Sequence, residues 1–183
     1  MGIIRRSFKT LKGQRGFTLI ELIVAVGIML ILAAAATPFL LSHLKDAKVA
    51  NENEKVLNVK AAFDSYYTKN GGLVSDSDSD SDYLDEMESE GWISGDPSKN
   101  DVTWKVKKYT DSGKNAYYIF QETTSTDGYN YFKDIVDDID TIIDGSDTAT
   151  SGTYQYTDTG SAVKACYLLY KDADMTSWQT DCQ

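Results

Sequence analysis

The feature that most constrains this chain is an uninterrupted apolar block near its N-terminus. No polar side chain occurs from Leu22 to Ala36, and the wider run from Phe17 to Leu41 is almost entirely apolar. As a helix, residues 17–41 would extend about 37 Å at ~1.5 Å per residue, more than the ~30 Å hydrocarbon core of a bilayer. The block therefore predicts one membrane-spanning helix.

The residues before this block carry only positive charge. They include no acid, and their basic residues are Arg5, Arg6, Lys9, Lys12 and Arg15. This flank predicts a cytoplasmic N-terminus and places the rest of the chain outside the cytoplasm. Removing these five from the 18 lysines and arginines leaves 13 basic residues against 28 acidic ones. The chain after residue 16 is therefore acidic and lacks the clustered basic residues that nucleic-acid binding requires. The sequence also shows no nucleic-acid motif.

An ordinary secretory signal explains this segment less well. Its apolar stretch is roughly 7–15 residues long, and cleavage follows it. Here the block is longer and contains Glu21 near its start and Pro38 near its end. A carboxylate in a membrane span is costly, so it is expected to find a cation, take up a proton or serve a function. The remaining alternative is an acid that reaches outward at the membrane edge.

The sequence Gly16-Phe17-Thr18-Leu19-Ile20-Glu21-Leu22 resembles the prepilin motif of type IV pilins and type II secretion pseudopilins. The resemblance implies that prepilin peptidase cuts after Gly16 and that Phe17 becomes an N-methylated N-terminus. It implies that Glu21 pairs with the N-terminal amine of a neighbouring subunit. Pro38 matches the family's helix proline, near which the helix can loosen in assembled filaments.

The same resemblance implies a location and partners. The precursor is expected in the bacterial inner membrane, crossing it once with its N-terminus in the cytoplasm. An inner-membrane assembly platform then moves it into a filament that spans the periplasm or lies outside the cell. Its partners there are copies of itself or other pilins.

The helical pattern continues beyond the membrane block. Apolar residues recur at helical spacing as far as Lys69, and Gly71-Gly72 is a plausible stop. Their stripe comprises Leu44, Ala47, Val56, Val59, Phe63 and Tyr66. We expect an α+β, pilin-like fold with one long helix over about 17–70, packed on a small antiparallel sheet with short additional helices. The expected divisions are a cleaved leader (1–16), a transmembrane and filament-core helix half (17–42) and an extracytoplasmic globular head (43–183).

The head shows short elements. A short helix is predicted over 83–93, ending at Gly91, and one further helix over 129–143. Residues 102–110 and 116–124 predict a hairpin around Asp111-Ser112-Gly113. It has Trp104 and Val106 on one face and Tyr118 and Phe120 on the partner strand. Further strands are predicted over 152–157 and 162–170.

Residues 75–82 read SDSDSDSD and are expected to form a solvated loop. Carboxylate oxygens are calcium ligands, but the glycine and distal glutamate of an EF-hand are missing. The candidate ligands are Asp76, Asp78, Asp80 and Asp82. No other cofactor is expected.

The chain has two cysteines, Cys166 and Cys182. Outside the cytoplasm a disulfide is expected, with free buried thiols as the alternative. Closing a loop of fifteen intervening residues would stabilise the head by about 3 kcal/mol. A disulfide-bounded C-terminal loop also resembles that of many pilins.

No enzymatic activity is expected, because the sequence shows no Ser/His/acid set and no phosphate-cradling loop. The predicted function is a structural subunit of a type IV pilus or pilus-like filament, serving adhesion, motility or DNA uptake. A type II secretion pseudopilin is the first alternative, since it shares every residue used here. A membrane-anchored binding protein that does not polymerise is the second.

Overall fold

A computed structural model describes residues 16–72, 82–145, 150–173 and the positions 175, 178 and 182. The described elements are a long helix, three short helices and four strands, an α+β arrangement as predicted. In chain order they are α1 (Leu19–Lys69), α2 (Leu84–Ser89), β1 (Val102–Asp111), β2 (Lys114–Thr123), α3 (Thr126–Lys133), α4 (Val136–Asp144), β3 (Tyr154–Asp158) and β4 (Val163–Lys171).

Helix α1 ends at Lys69, just before the Gly71-Gly72 pair that was predicted to stop it. The Gly72 N–H donates to the Tyr67 carbonyl at 2.9 Å, and the Gly71 N–H donates to the Thr68 carbonyl at 3.2 Å. Both glycines have left-handed φ angles, 64° and 81°. This pair of bonds is a Schellman motif, which satisfies carbonyls that the helix end leaves open.

The chain divides into two compact units, the first ending at His43 and the second beginning at Leu44. We call the second unit, residues 44–183, the head. The head contains a four-stranded antiparallel sheet with strand order β1-β2-β4-β3. The first two strands are joined by Ser112 and Gly113, whose φ angles of 52° and 79° suit a two-residue type I′ hairpin turn.

One face of the sheet forms the main core with α1. Phe63 and Tyr66 of α1 are 1% exposed and belong to the same buried cluster as Trp104 and Val106 of β1. Val56 and Val59 are buried as well, so this part of the predicted stripe is confirmed. The prediction was wrong for Leu44 and Ala47, which are exposed because burial along α1 begins at Val49.

The other face of the sheet has a second, smaller cluster. Tyr118 and Phe120 pack there with the C-terminal residues Met175 and Trp178. In the hairpin register Ile119 lies opposite Val106, and Tyr118 lies opposite Lys107. Since side chains alternate along a strand, Tyr118 and Phe120 point away from the face that carries Trp104 and Val106.

The helix predicted over 129–143 is two helices, α3 and α4, separated by a turn at Asp134 and Ile135. The Ile135 N–H donates to the Phe132 carbonyl, a tighter bond than the α-helical pattern. Phe132, Ile135 and Ile139 are nevertheless all fully buried, so the apolar spacing correctly marks the inward face. Gly145 ends α4 with a φ of 74°. The short helix expected over 83–93 is α2, which ends before Gly91.

Candidate assembly and processing site

The predicted cleavage position lies just before α1. Gly16 and Phe17 are outside the helix, and the Phe17 side chain is 89% exposed. Apart from the chain neighbours of Gly16, no described residue has an atom within 4 Å of the position that a Cβ would take on Gly16. The described part of the chain therefore leaves both sides of the Gly16–Phe17 peptide bond open to an enzyme.

Thr18 and Glu21 form a capping box at the start of α1. The Thr18 N–H and hydroxyl each donate to Glu21 Oε2 at 2.8 Å, and the Glu21 N–H donates to Thr18 Oγ1 at 3.3 Å. This reciprocal arrangement satisfies amide donors that have no partner inside the helix. Our sequence reasoning identified Glu21 but missed Thr18, although the spacing Thr-x-x-Glu before an apolar run is the signal of a capping box.

The first part of α1 is an exposed apolar surface. Leu22, Ile31 and Leu32 are each at least 60% exposed, and neighbouring apolar side chains are similar. The helix is long and apolar enough to cross a membrane, and its apolar segment is not buried within the described residues. A continuous apolar surface of this kind marks a protein or membrane contact.

Pro38 lies inside α1, which continues through it. Proline has no N–H, so the carbonyl of Ala34 loses its normal helix partner. One turn nearby is reinforced by a side chain, since the Thr37 hydroxyl donates to the Ala33 carbonyl at 2.8 Å. Proline thus places a locally weaker hydrogen-bond pattern within the apolar segment.

The head contains the expected disulfide. Cys166 of β4 is bonded to Cys182, with their Cα atoms 6.1 Å apart. The Thr157 hydroxyl of β3 donates to the Cys182 carbonyl, a second link between the sheet and the C-terminal residues. Trp178 is buried against Tyr118, with ring centroids 5.9 Å apart. These contacts hold the C-terminal residues on the second face of the sheet.

Among the calcium candidates, Asp76, Asp78 and Asp80 lie outside the described residues. Asp82 is described, and its Oδ1 accepts hydrogen bonds from the N–H groups of Leu84 and Val106 at 3.0 and 3.1 Å. Burial raises the pKa of Asp82, while those two bonds and Lys105 act in the opposite direction. Within the described ranges, no three His, Cys, Asp or Glu residues are grouped so as to hold a metal ion. Asp82 thus serves to join the start of α2 to β1.

A family model for the prokaryotic N-terminal methylation motif matches residues 11–37. This is the prepilin signature of type IV pilins and pseudopilins, as the sequence predicted, and it covers Gly16, Phe17, Thr18 and Glu21. No curated protein and no solved structure matches the chain. The chain therefore carries a pilin-type N-terminus.

Proposed function

We propose that this chain is a structural subunit of a type IV pilus or pilus-like filament. In this proposal prepilin peptidase cuts the precursor after Gly16, the new N-terminus at Phe17 is N-methylated, and the subunit polymerises through α1. The observation that carries the proposal is the methylation motif at the open end of a helix whose apolar surface is exposed. Such a surface suits a bilayer before assembly and helix packing afterwards.

Glu21 supplies the polar contact for that assembly. Cleavage creates an α-amine at Phe17, and a cation in an apolar environment needs an anionic partner. Within one subunit the Glu21 carboxylate is held by the N–H and hydroxyl of Thr18, which are neutral donors. A neighbouring subunit's amine would add a charged donor, and charge-assisted bonds are roughly twice as strong as neutral ones. The pairing would fix the axial stagger between subunits.

The same N-terminal segment supports the proposed location in the inner membrane and the proposed role of the assembly platform. The basic residues before Gly16 favour a cytoplasmic N-terminus in the inner membrane. From there the assembly platform would lift subunits into the growing filament. The disulfide-linked head, with its acidic composition, would face the periplasm or the outside of the cell.

The experiment compares Glu21→Ala with a matched control, Asp64→Ala, which removes an exposed acid from the later part of α1. Both full-length chains are expressed in the native host, and surface filaments are sheared and examined by electron microscopy. We expect filaments with Asp64→Ala and none with Glu21→Ala, at equal amounts of chain in the membrane. Mass spectrometry of the mature chain should give a methylated Phe17 start.

Other results would support other functions. Normal filaments containing the Glu21→Ala chain would refute the assembly mechanism, and a chain that still starts at Met1 would refute the processing step. A processed chain that forms only short periplasmic fibres and is required for protein export would indicate a pseudopilin. A processed chain whose function survives Glu21→Ala without any fibre would indicate a binding protein that does not polymerise.

A further inference from the structure

A group of buried polar side chains lies between α1 and the sheet in the head. Glu52 of α1 is 1% exposed, Trp104 of β1 is 2% exposed, and Gln121 of β2 is fully buried. One polar atom of each has no hydrogen-bond partner among the described residues, namely Glu52 Oε2, Trp104 Nε1 and Gln121 Nε2. Buried polar atoms are nearly always hydrogen-bonded to protein or to ordered water, so these three atoms require an explanation.

The sheet brings Trp104 and Gln121 together. They lie directly opposite each other in the pairing of β1 with β2, so their side chains are neighbours on one face of the sheet. This face packs against α1, because Trp104 belongs to the same core cluster as Val56 and Phe63 of that helix. Two N–H donors, Trp104 Nε1 and Gln121 Nε2, therefore belong to adjacent side chains under α1.

Glu52 approaches the same place from α1. The Lys55 ammonium donates to Glu52 Oε1 at 2.8 Å and also lies over the Trp104 ring, 5.7 Å from its centroid. Because one ammonium group contacts both side chains, the Glu52 carboxylate lies close to the indole of Trp104.

Tyr154 of β3 connects Gln121 with the same carboxylate. The Tyr154 hydroxyl donates to Gln121 Oε1 at 3.2 Å, and the side chain is fully buried. Burial raises the pKa of Tyr154 well above its usual value, and the negative charge of Glu52 raises it further. Glu52 is therefore near enough to the Tyr154–Gln121 pair for its charge to act on the phenol. The contacts of Lys55 and Tyr154 together indicate that Glu52, Trp104 and Gln121 line one buried polar site.

The chemistry of the three atoms identifies the ligand of this site. Trp104 Nε1 and Gln121 Nε2 can only donate hydrogen bonds, and Glu52 Oε2 accepts. The ligand must therefore accept two hydrogen bonds and donate one. A metal ion accepts no hydrogen bond from an N–H group, and an anion would be repelled by the carboxylate. A water molecule satisfies all three atoms, and buried waters typically make about three hydrogen bonds.

We propose that one ordered water molecule is bound in the core of the head, where it accepts from Trp104 Nε1 and Gln121 Nε2 and donates to Glu52 Oε2. The water joins α1 to β1 and β2 close to Val49, where burial along α1 begins. This inference concerns the interior of the head and holds whether or not the chain polymerises.

Nuclear magnetic resonance tests the site directly on the full-length chain in detergent. A water molecule held in the core gives nuclear Overhauser effects of opposite sign in the laboratory and rotating frames, whereas quickly exchanging surface water does not. We expect opposite signs between water and the Trp104 indole proton. Trp92 is the internal control, because its indole N–H donates to Glu90 Oε2 at 3.0 Å in an exposed position and should contact surface water alone. Absence of the effect at Trp104 would overturn the inference.

Two phenylalanine variants separate bound water from exchanging hydroxyl protons. Tyr131 donates to Glu52 Oε1, and Tyr154 donates to Gln121, so both hydroxyls belong to the same network. The effect at Trp104 should persist in Tyr131→Phe and in Tyr154→Phe. Its loss in either variant would assign the signal to that hydroxyl and would overturn the inference.

A methionine substitution tests the role of Gln121. Gln121→Met removes one donor to the water and keeps the length of the side chain, so the effect at Trp104 should fall several-fold. The matched control is Gln155→Met, since Gln155 of β3 is also buried but its Nε2 donates to the Gly152 carbonyl at 3.1 Å. An unchanged effect in Gln121→Met, or an equal fall in Gln155→Met, would overturn the site as proposed. If Gln121→Met does not fold, the natural chain and the two tyrosine variants decide the question.

Discussion

The phenol of Tyr131 donates a hydrogen bond to Glu52 Oε1 at 2.9 Å, joining α3 to α1 inside the head. Glu52 is 1% exposed, and Lys55 donates to the same oxygen at 2.8 Å. Glu52 Oε2 has no hydrogen-bond partner among the described residues. When a buried carboxylate pairs with one lysine, the stability of the fold depends strongly on each further hydrogen bond that the carboxylate accepts.

Tyr131→Phe should therefore destabilise the head. Burial and the nearby Glu52 carboxylate raise the pKa of Tyr131, so the phenol stays protonated and able to donate at neutral and mildly alkaline pH. Losing this donor to a buried charge is expected to lower the free energy of unfolding by ~1–3 kcal/mol. The measurement is denaturant unfolding of the mature full-length chain in detergent.

The matched control is Tyr129→Phe. The Tyr129 hydroxyl reaches Asp158 Oδ2 only at 3.4 Å and in an exposed position. Its removal should change stability by less than ~0.5 kcal/mol. An equal loss of unfolding free energy in the two phenylalanine variants would show that the Tyr131–Glu52 hydrogen bond stabilises the head no more than an exposed one.

Asp172 should make the head more stable at neutral pH than in acid. The hydrogen bonds from the Asn115 N–H and the Tyr170 hydroxyl lower the pKa of Asp172. An acid with a lowered folded pKa contributes stability above its unfolded value of ~3.9, and that contribution is lost as pH falls through the folded pKa. The stability advantage of the natural chain over Asp172→Asn should thus shrink as pH falls below ~4.

Asp64→Asn is the control for this pH dependence, because Asp64 is exposed on α1 and far in sequence from the Asn115–Asp172 link. The free energy of unfolding of Asp64→Asn should differ little from that of the natural chain at every pH. Denaturant unfolding at a series of pH values from neutral to strongly acidic measures both variants. A constant difference between the natural chain and Asp172→Asn across that series would contradict the prediction.

Reduction of the Cys166–Cys182 bond should loosen the C-terminal residues before it unfolds the head. The loop-entropy estimate for a bond of this separation is about 3 kcal/mol. Trp178 is buried in the same cluster as the two cysteines and packs against Tyr118, so its fluorescence should shift to the red on reduction. The Cys166→Ala/Cys182→Ala variant should melt at a lower temperature and show no response to reductant. An unchanged melting temperature in that variant would refute the stabilising role.

The long helix and the hairpin could be predicted from the sequence, because local signals define both. Apolar spacing and Gly71-Gly72 located the end of α1, and Asp111-Ser112-Gly113 located the turn between β1 and β2. The capping box could also have been predicted from the sequence, since Thr18 and Glu21 have the spacing that it requires. The processing and assembly roles of Gly16, Phe17, Glu21 and Pro38 stay predictions.

Other features depend on residues that are distant in the chain. Strand β2 is apolar on both faces, so alternation did not show that Tyr118 would face the C-terminal residues rather than α1. Glu52 was not expected in the buried stripe, because its partner Tyr131 lies 79 positions away. The break between α3 and α4 leaves the apolar spacing intact, and periodicity alone therefore missed it.

Thr18 should matter for assembly because it holds the carboxylate of Glu21. Thr18→Val keeps the shape of the side chain but removes the hydroxyl, and with it one donor to Glu21 Oε2 and the acceptor of the Glu21 N–H. Loss of such a cap costs ~0.5–2 kcal/mol of helix stability. We expect cleavage after Gly16 to continue and filament number to fall with Thr18→Val, whereas Thr18→Ser should behave as the natural chain. Electron microscopy of sheared filaments and mass spectrometry of the mature chain measure the two effects. Equal filament numbers for the valine and serine variants would show that the hydroxyl does not position Glu21, and a block in cleavage would place Thr18 in processing instead.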